Sequence, residues 1–310
     1  MKQVLDWVVY LLVRGFFLTL RLMPAALARV LCSLIALAIY MVDSKHRRIG
    51  MINLSIAFPD KDALWKKRVL RRSFLRQGEQ AVELSRLPAL KPEEARARMP
   101  YEEGRGLENY LRARERGRGV LFVTAHVGPW EVLPAAHALS GYPLSFVVRP
   151  LDNQYLDRWL VRRRCRWGNQ VINKYVAVRR TMKTLSQKGD VGFLIDQNIQ
   201  EKEGVYVPLF GRPACTTFSV AALARRTGAP VVAGFICPDA RPGRYRIRFY
   251  PPIEVVPGAD ETKDLIEYTA RFNQYVEEVI REFPDCWLWG HRRFQTQPDG
   301  SNPYEEKDEG

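Results

Sequence analysis

Gly119-Val-Leu-Phe-Val-Thr-Ala-His126-Val-Gly-Pro-Trp-Glu131 is the stretch on which the fold turns. Its apolar run has the length of a buried strand, and Gly128-Pro129 breaks it into a turn. A helix is predicted to begin near Glu131. The stretch therefore reads strand, turn, helix, and it delivers a histidine to the strand's carboxyl end. An imidazole and a carboxylate then face each other across one tight turn, where the carboxylate can fix the ring's tautomer and orientation. Such a pair is a general base awaiting a hydroxyl.

The same alternation continues on either side. Val120–Ala125, Leu144–Val148, Val191–Ile195 and Val231–Ile236 read as strands, and Glu131–Leu139, Tyr155–Trp167, Val178–Lys188 and Thr216–Thr227 as helices. That order predicts an α/β core with a mixed, mostly parallel sheet flanked by helices. Arg244–Tyr250 alternates polar with apolar residues, as an antiparallel edge strand does. A last helix, about Lys263 to Glu282, closes the core, and Gly204 to Thr217 reads as a loop, either near the acceptor or a plain turn set by Gly211 and Pro213.

Asp196 follows the Val191–Ile195 strand, so a second carboxylate reaches the edge at which open α/β sheets bind ligands. It either backs up His126 or pairs with an arginine, and the sequence leaves both open. Gln197 beside it can hydrogen-bond a substrate. Arg149 ends the Leu144–Val148 strand, and Arg164 lies in the run Arg162-Arg-Arg164. Either can meet a developing oxyanion or a phosphate, although a plain basic helix face also explains the run. The other histidines are less telling: His46 sits in a basic cluster, His137 is mid-helix, and His291 precedes Arg292 and Arg293.

No nucleophile motif accompanies His126. The chain has no G-x-S-x-G, no G-x-x-x-x-G-K-[ST], and no G-x-G-x-x-G after a strand. A base without a protein nucleophile implies direct attack by a substrate hydroxyl or by water. Five scattered cysteines show neither C-x-x-C nor a partnering histidine spacing, so a zinc site and a disulfide framework are both unexpected. They fit reduced thiols in the cytoplasm. The expected chemistry uses no metal and no bound cofactor.

Lys and Arg total 48 against 34 Asp and Glu over 310 residues, a net charge of +14 that suits an anionic partner. Nucleic acid and the phosphate layer of a membrane are the candidates. The aromatic residues are not interleaved with basic ones as in a nucleic-acid stacking platform, and the N-terminus favours the membrane. It is apolar from Val8 to Leu20 and again from Val30 to Val42, with Arg14, Arg21, Pro24 and Arg29 interspersed, and Lys45-His46-Arg47-Arg48 follows. Arginines of this kind snorkel to phosphates, and basic flanks mark the cytoplasmic side. The predicted organisation is a membrane-associated helical segment at 1–42, a helical arm at 43–114, the α/β core at 115–297, and a disordered tail at 298–310.

His126-Val-Gly-Pro-Trp-Glu131 resembles the H-x4-[D/E] motif of the glycerolipid acyltransferases. The wider pattern resembles the bacterial lipid A biosynthesis acyltransferases. It runs through Asn53–Pro59, the His126 block, Phe146–Pro150, Leu156–Leu160, Asp196-Gln197, Gly204–Thr217 and Trp289–Phe294. The resemblance implies acyl transfer from an acyl carrier protein or coenzyme A thioester to a hydroxyl of a phosphorylated glycolipid. It also implies a place on the cytoplasmic face of the bacterial inner membrane. On that reading His126 takes the hydroxyl proton, Glu131 orients it, and Arg149, Arg164, Asp196 and Gln197 bind substrate. Acylation of a mannosylated phosphoinositide or a lysophospholipid is the nearest alternative, and a non-catalytic binder of anionic lipid the remote one.

Overall fold

The computed structural model describes residues 1–305. Two apolar helices come first, α1 (Lys2–Leu22) and α2 (Ala25–Val42), broken at Pro24. Both are long and apolar enough to cross a membrane, and most of their surface is uncovered by protein. They are nonetheless docked. α2 lies so close to α4 (Ala63–Arg86) that a Cβ on Gly78 would stand 2.8 Å from the Cys32 carbonyl oxygen. Asn153 at the start of α8 (Gln154–Arg164) donates to the Asp6 carbonyl at 2.8 Å. Arg29 does not snorkel outward: it lies 3.7 Å from the buried carboxylate of Glu83.

α3 (Ser44–Ala57) and α4 start where Asp43 and Asp62 accept hydrogen bonds from the His46 and Trp65 amides, at 3.0 and 2.7 Å. The chain then passes through α5 (Pro92–Arg98) and α6 (Leu107–Arg114). These helices are not a free arm, because Leu54 and Leu70 share one hydrophobic cluster with the sheet. Asn109 of α6 also donates to the Phe249 carbonyl at 2.7 Å.

The main sheet contains β1 (Leu121–Thr124), β2 (Ser145–Val148), β3 (Gln170–Asn173), β4 (Val191–Leu194), β7 (Val231–Pro238) and β8 (Tyr245–Phe249). Its order is β3-β2-β4-β1-β7-β8. Every pairing is parallel except β7 with β8, so Arg244–Tyr250 is the antiparallel edge its alternation predicts. Helices α7 (Leu133–Leu139), α8, α9 (Ala177–Ser186), α10 (Ser219–Thr227) and α11 (Glu261–Glu282) complete the body. The mixed, mostly parallel sheet flanked by helices is the architecture expected.

Three local differences have physical causes. The helix expected from Glu131 begins at Leu133, because Gly128-Pro129 turns the chain for longer than two residues. Gly204–Thr217 is a hairpin rather than a loop, with β5 (Gly204–Leu209) antiparallel to β6 (Arg212–Thr217). Phe210 and Gly211 close it with φ of 52° and 73°, the left-handed pair that suits a two-residue hairpin turn. Pro208 and Pro213 face each other in a ribbon of two strands, where each strand has an edge free of ladder bonds. The tail is not loose from 298: Tyr304 is buried, its hydroxyl donating to Asn53 Oδ1 at 2.5 Å and accepting from the Phe294 amide at 3.0 Å. Residues 306–310 of the expected disordered tail lie outside the described residues.

Candidate active site

β1 and β4 are neighbours in the centre of the sheet, with Thr124 opposite Leu194. Two residues beyond that pair come His126 on one strand and Asp196 on the other. Register alone therefore brings them together. Asp196 Oδ1 lies 2.8 Å from His126 Nδ1, and Asp196 Oδ2 accepts the His126 backbone N–H at 2.9 Å. The indole N–H of Trp287 donates to the same Oδ2 at 2.8 Å. Asp196 is 2% exposed, and the His126 side chain keeps 15%.

The turn after His126 is fastened from outside. Val127 bridges to Trp287, Gly128 donates to the Cys286 carbonyl at 2.9 Å, and Leu288 donates to the His126 carbonyl at 3.2 Å. Gly128 has φ of 59°, and a Cβ there would stand 2.4 Å from the Ile236 carbonyl oxygen, so only glycine fits. Below the turn, the fully buried guanidinium of Arg293 donates to the Cys215 carbonyl at 2.7 Å and to Thr216 Oγ1 at 2.5 Å. A longer contact of 3.5 Å reaches the Gln197 carbonyl and ties the Asp196 loop to the hairpin.

Burial by itself would lower the His126 pKa. The charge of Asp196 and its hydrogen bond, with a smaller push from Glu131, outweigh burial and raise it. Burial would likewise raise the pKa of Asp196, but its bonds with His126 and Trp287 hold it down at about 2. The carboxylate stays charged, keeps the proton on Nδ1, and leaves Nε2 as the basic atom facing outward. Gln197 Nε2 lies 3.5 Å from that atom.

Glu131 does not touch His126. It accepts a bidentate pair of hydrogen bonds from Arg164, 2.9 Å from Nε and 2.5 Å from Nη2, with both side chains mostly covered. The expectation that Glu131 orients His126 is thus corrected: that place belongs to Asp196, because adjacent strands align the two while the turn carries Glu131 toward α8. Arg149 stands at the carboxyl end of β2, exposed and 3.4 Å from Asp152. With β4 between β2 and β1, it is outside the His126 cluster.

Three residues join the site without a signal in the sequence. Trp287 reads as packing until β1 and the C-terminal segment meet. His291 accepts the Asn198 amide at 2.9 Å through Nε2, and burial pushes its pKa down to about 4. Arg293 lies 96 residues from Gln197, so only the folded chain reveals their contact. Among the described residues, no cluster of three or more His, Cys, Asp and Glu side chains is placed to hold a metal ion.

Beside His126 lies an apolar cavity. It is lined by Trp130, edge-on to the His126 ring with centroids 5.0 Å apart, and by Glu131 and Arg164. Phe122, Leu133, Phe146, Val148, Phe193 and Phe249 form its walls, and Gly192 and Gly234 leave room in the sheet. Its space for the centres of water-sized molecules is about 70 Å³, several times the ~10–15 Å³ that one water needs.

A family model, "Bacterial lipid A biosynthesis acyltransferase", matches residues 2–296. The chain is 29% identical over 301 residues to the lipid A biosynthesis lauroyltransferase of Escherichia coli (strain K12), covering 95% of this chain and 93% of that one. It is 27% identical over 259 residues to the lipid A biosynthesis palmitoleoyltransferase of the same organism, covering 83% and 81%. The myristoyltransferase of that organism is 23% identical over 269 residues, covering 86% and 81%.

Proposed function

Because the chain belongs to the bacterial lipid A biosynthesis acyltransferase family, and so is an acyltransferase of lipid A biosynthesis, we propose how its residues carry out the transfer. The donor is a fatty acyl thioester of acyl carrier protein, and the acceptor is a hydroxyl of a lipid A precursor. The enzyme works at the cytoplasmic face of the inner membrane, held there by α1 and α2. Their apolar, protein-free surfaces support that attachment. No bound cofactor takes part.

The observation that carries the mechanism is the chain of contacts from Trp287 to Asp196 to His126, with an apolar cavity bordered by Trp130 nearby. The acceptor hydroxyl gives its proton to His126 Nε2 as its oxygen bonds to the thioester carbonyl carbon. The C–S bond then breaks, and the thiolate leaves with the proton from His126. No acyl-enzyme forms. Asp196 stabilises the imidazolium between the two proton transfers. Gln197, 3.5 Å from the base, supplies an amide N–H beside the reacting atoms. Glu131 and Arg164 line the cavity, and Arg149 at the exposed sheet edge meets the acceptor's phosphates.

The test is turnover of an acyl carrier protein thioester on a lipid A precursor by the full chain in detergent micelles, followed by mass spectrometry of the glycolipid. A mass gain of one acyl group is expected. His126→Ala should lower the rate at least about 10²–10⁴-fold with the circular dichroism spectrum unchanged. A folded variant that still transfers at near the parent rate overturns the mechanism.

A further inference from the structure

Helices α1 and α8 run side by side in the same direction. Asp6 meets Asn153, the rings of Tyr10 and Tyr155 have centroids 6.1 Å apart, and Phe17 meets Trp159 edge-on at 5.2 Å. Tyr10, Arg14, Phe17 and Arg21 follow one another at helical spacing, so they share the face of α1 turned to α8. Arg163 of α8 closes that face. Its guanidinium carbon lies 4.2 Å from the Trp159 ring centroid and 5.6 Å from that of Phe17, and its Nη1 donates to the Leu84 carbonyl at 3.0 Å. Side chains on a helix lean toward its N-terminus. Arg21 thus leans over Phe17, where Arg163 rests, and Arg14 leans over Tyr10, donating to its hydroxyl at 3.0 Å. Arg86 adds another guanidinium at the end of α1, donating to the Leu20 and Met23 carbonyls.

No acid balances this group. Among the described residues, no carboxylate forms an ion pair with Arg14, Arg21 or Arg163. Glu83, next to Leu84, is taken by Arg29 and Arg98. Asp6, on the same face of α1, is about 12 Å along the axis from Arg14. Burial lowers the Arg163 pKa, and the charges of Arg21 and Arg14 lower it further. An anion placed among like charges removes their repulsion. The surroundings say which anion. α1 leaves most of its apolar surface free of protein, and aromatic rings floor the groove, so the anion must arrive with apolar chains beside it. A lipid phosphate has both properties, and the planar fork of arginine suits its oxygens. A soluble acidic protein would have to bring its carboxylates alongside a helix whose free surface is apolar.

We propose that Arg21 and Arg163, flanked by Arg14, hold the phosphate of a membrane lipid in the groove between α1 and α8. The proposal rests on the membrane attachment of α1 read above. Neighbouring positions on a helix point about 100° apart, so α8 turns Arg163 to α1 and Arg164 inward to Glu131. A phosphate bound at Arg163 therefore fastens the membrane helix to the element that carries Arg164.

The experiment releases the full chain from detergent micelles that hold equal amounts of phosphatidylglycerol and phosphatidylcholine. Native mass spectrometry then reads which lipid stays bound. The parent should retain phosphatidylglycerol over phosphatidylcholine by at least about tenfold. Arg21→Gln combined with Arg163→Gln should bring that ratio close to one, and Arg14→Gln alone should lower it about two- to threefold. Removing exposed arginines elsewhere, as Arg112→Gln, Arg226→Gln and Arg271→Gln together, should leave it in place. Equal retention of the two lipids by the parent overturns the proposal, and that measurement needs no variant to fold. A preference that survives the double change, or that falls equally in the remote variant, also overturns it. Added lipid A precursor tells the sources of the phosphate apart. Phosphatidylglycerol that stays bound marks a bilayer lipid in the groove, and phosphatidylglycerol displaced marks the acceptor's own phosphate there. A double variant that keeps the lipid but shows a raised KM for the carrier protein thioester gives the groove to an acidic protein and overturns the proposal. A parent that leaves bacterial membranes in a salt wash overturns the attachment itself, a different result from attachment without lipid preference.

Discussion

Asp196 and Glu131 are two carboxylates placed beside the same cleft, each bonded to a nitrogen base, and they are held in opposite ways. Asp196 is buried and accepts three N–H groups or ring nitrogens from two other segments. Glu131 keeps partial solvent contact and has one partner, Arg164. The first sits on adjacent strand ends, where register fixes it. The second follows a glycine-proline turn and reaches across to a helix. Spacing along the chain favoured Glu131 as the partner of His126, whereas proximity in the sheet gives that place to Asp196. A histidine five residues from a carboxylate is thus a weaker indicator of pairing than two strand ends aligned by parallel register.

The largest expected effect breaks the buried pair. Asp196→Asn keeps the shape but removes the charge that holds the Nδ1 tautomer, so transfer should fall by about 10²–10⁴-fold in kcat. Steady-state rates at saturating donor measure this. A fall of less than about threefold would return the orienting role to Glu131. The parent rate should rise with pH through a midpoint above the ordinary histidine value of 6.5, because His126 must be deprotonated to act and its pKa is raised. With the Asp196 charge gone, burial dominates and that midpoint should move to lower pH.

Glu131→Gln probes the other carboxylate. It strands Arg164 beside the cavity. Removing one member of a fully buried pair costs about 3–5 kcal/mol, but both side chains retain some solvent here, so about 1–3 is the better expectation. The loss should appear mainly in KM for the donor, roughly tenfold, with a much smaller movement of the acidic pH midpoint than Asp196→Asn gives. Glu131→Gln combined with Arg164→Met should recover part of the loss, since no unpaired charge remains. Equal displacement of the midpoint by both carboxylate changes would dissolve the contrast between the two pairs.

The sheet was legible because its parallel strands are buried on both faces and leave continuous apolar runs, as Leu121–Val123 and Val231–Ile236 do. His126 was legible because a polar residue at the end of such a run has no packing role to explain it. β3 was not, since this edge strand has only two apolar residues, Val171 and Ile172, between Gln170 and Asn173, and Pro208 and Pro213 concealed the hairpin. The partner of His126 stayed ambiguous for a different reason. Which strand lies beside β1 is decided by the whole topology, and residue 196 is no nearer in sequence than several other carboxylates. Trp287 and Arg293 carry even less local signal, because a buried tryptophan and a basic run each have commoner explanations.

The smallest expected effect concerns the third member of the buried chain. Trp287→Phe keeps most of the packing and removes one donor from Asp196 Oδ2. A neutral hydrogen bond to a charged acceptor is worth about 1.5–3 kcal/mol when its partner is left buried, but the His126 bonds to the carboxylate remain and the ring volume is nearly kept. The rate should therefore fall only about three- to tenfold. The direction of the pH response is more diagnostic than the rate. A carboxylate with one fewer donor attracts the imidazolium more strongly, so the His126 midpoint should rise, opposite to its movement in Asp196→Asn. Titration of the His126 ring by NMR, alongside the rate profiles of both variants, reads the two directions. Midpoints that move the same way would show that Trp287 acts by packing alone and that the chain of contacts ends at Asp196.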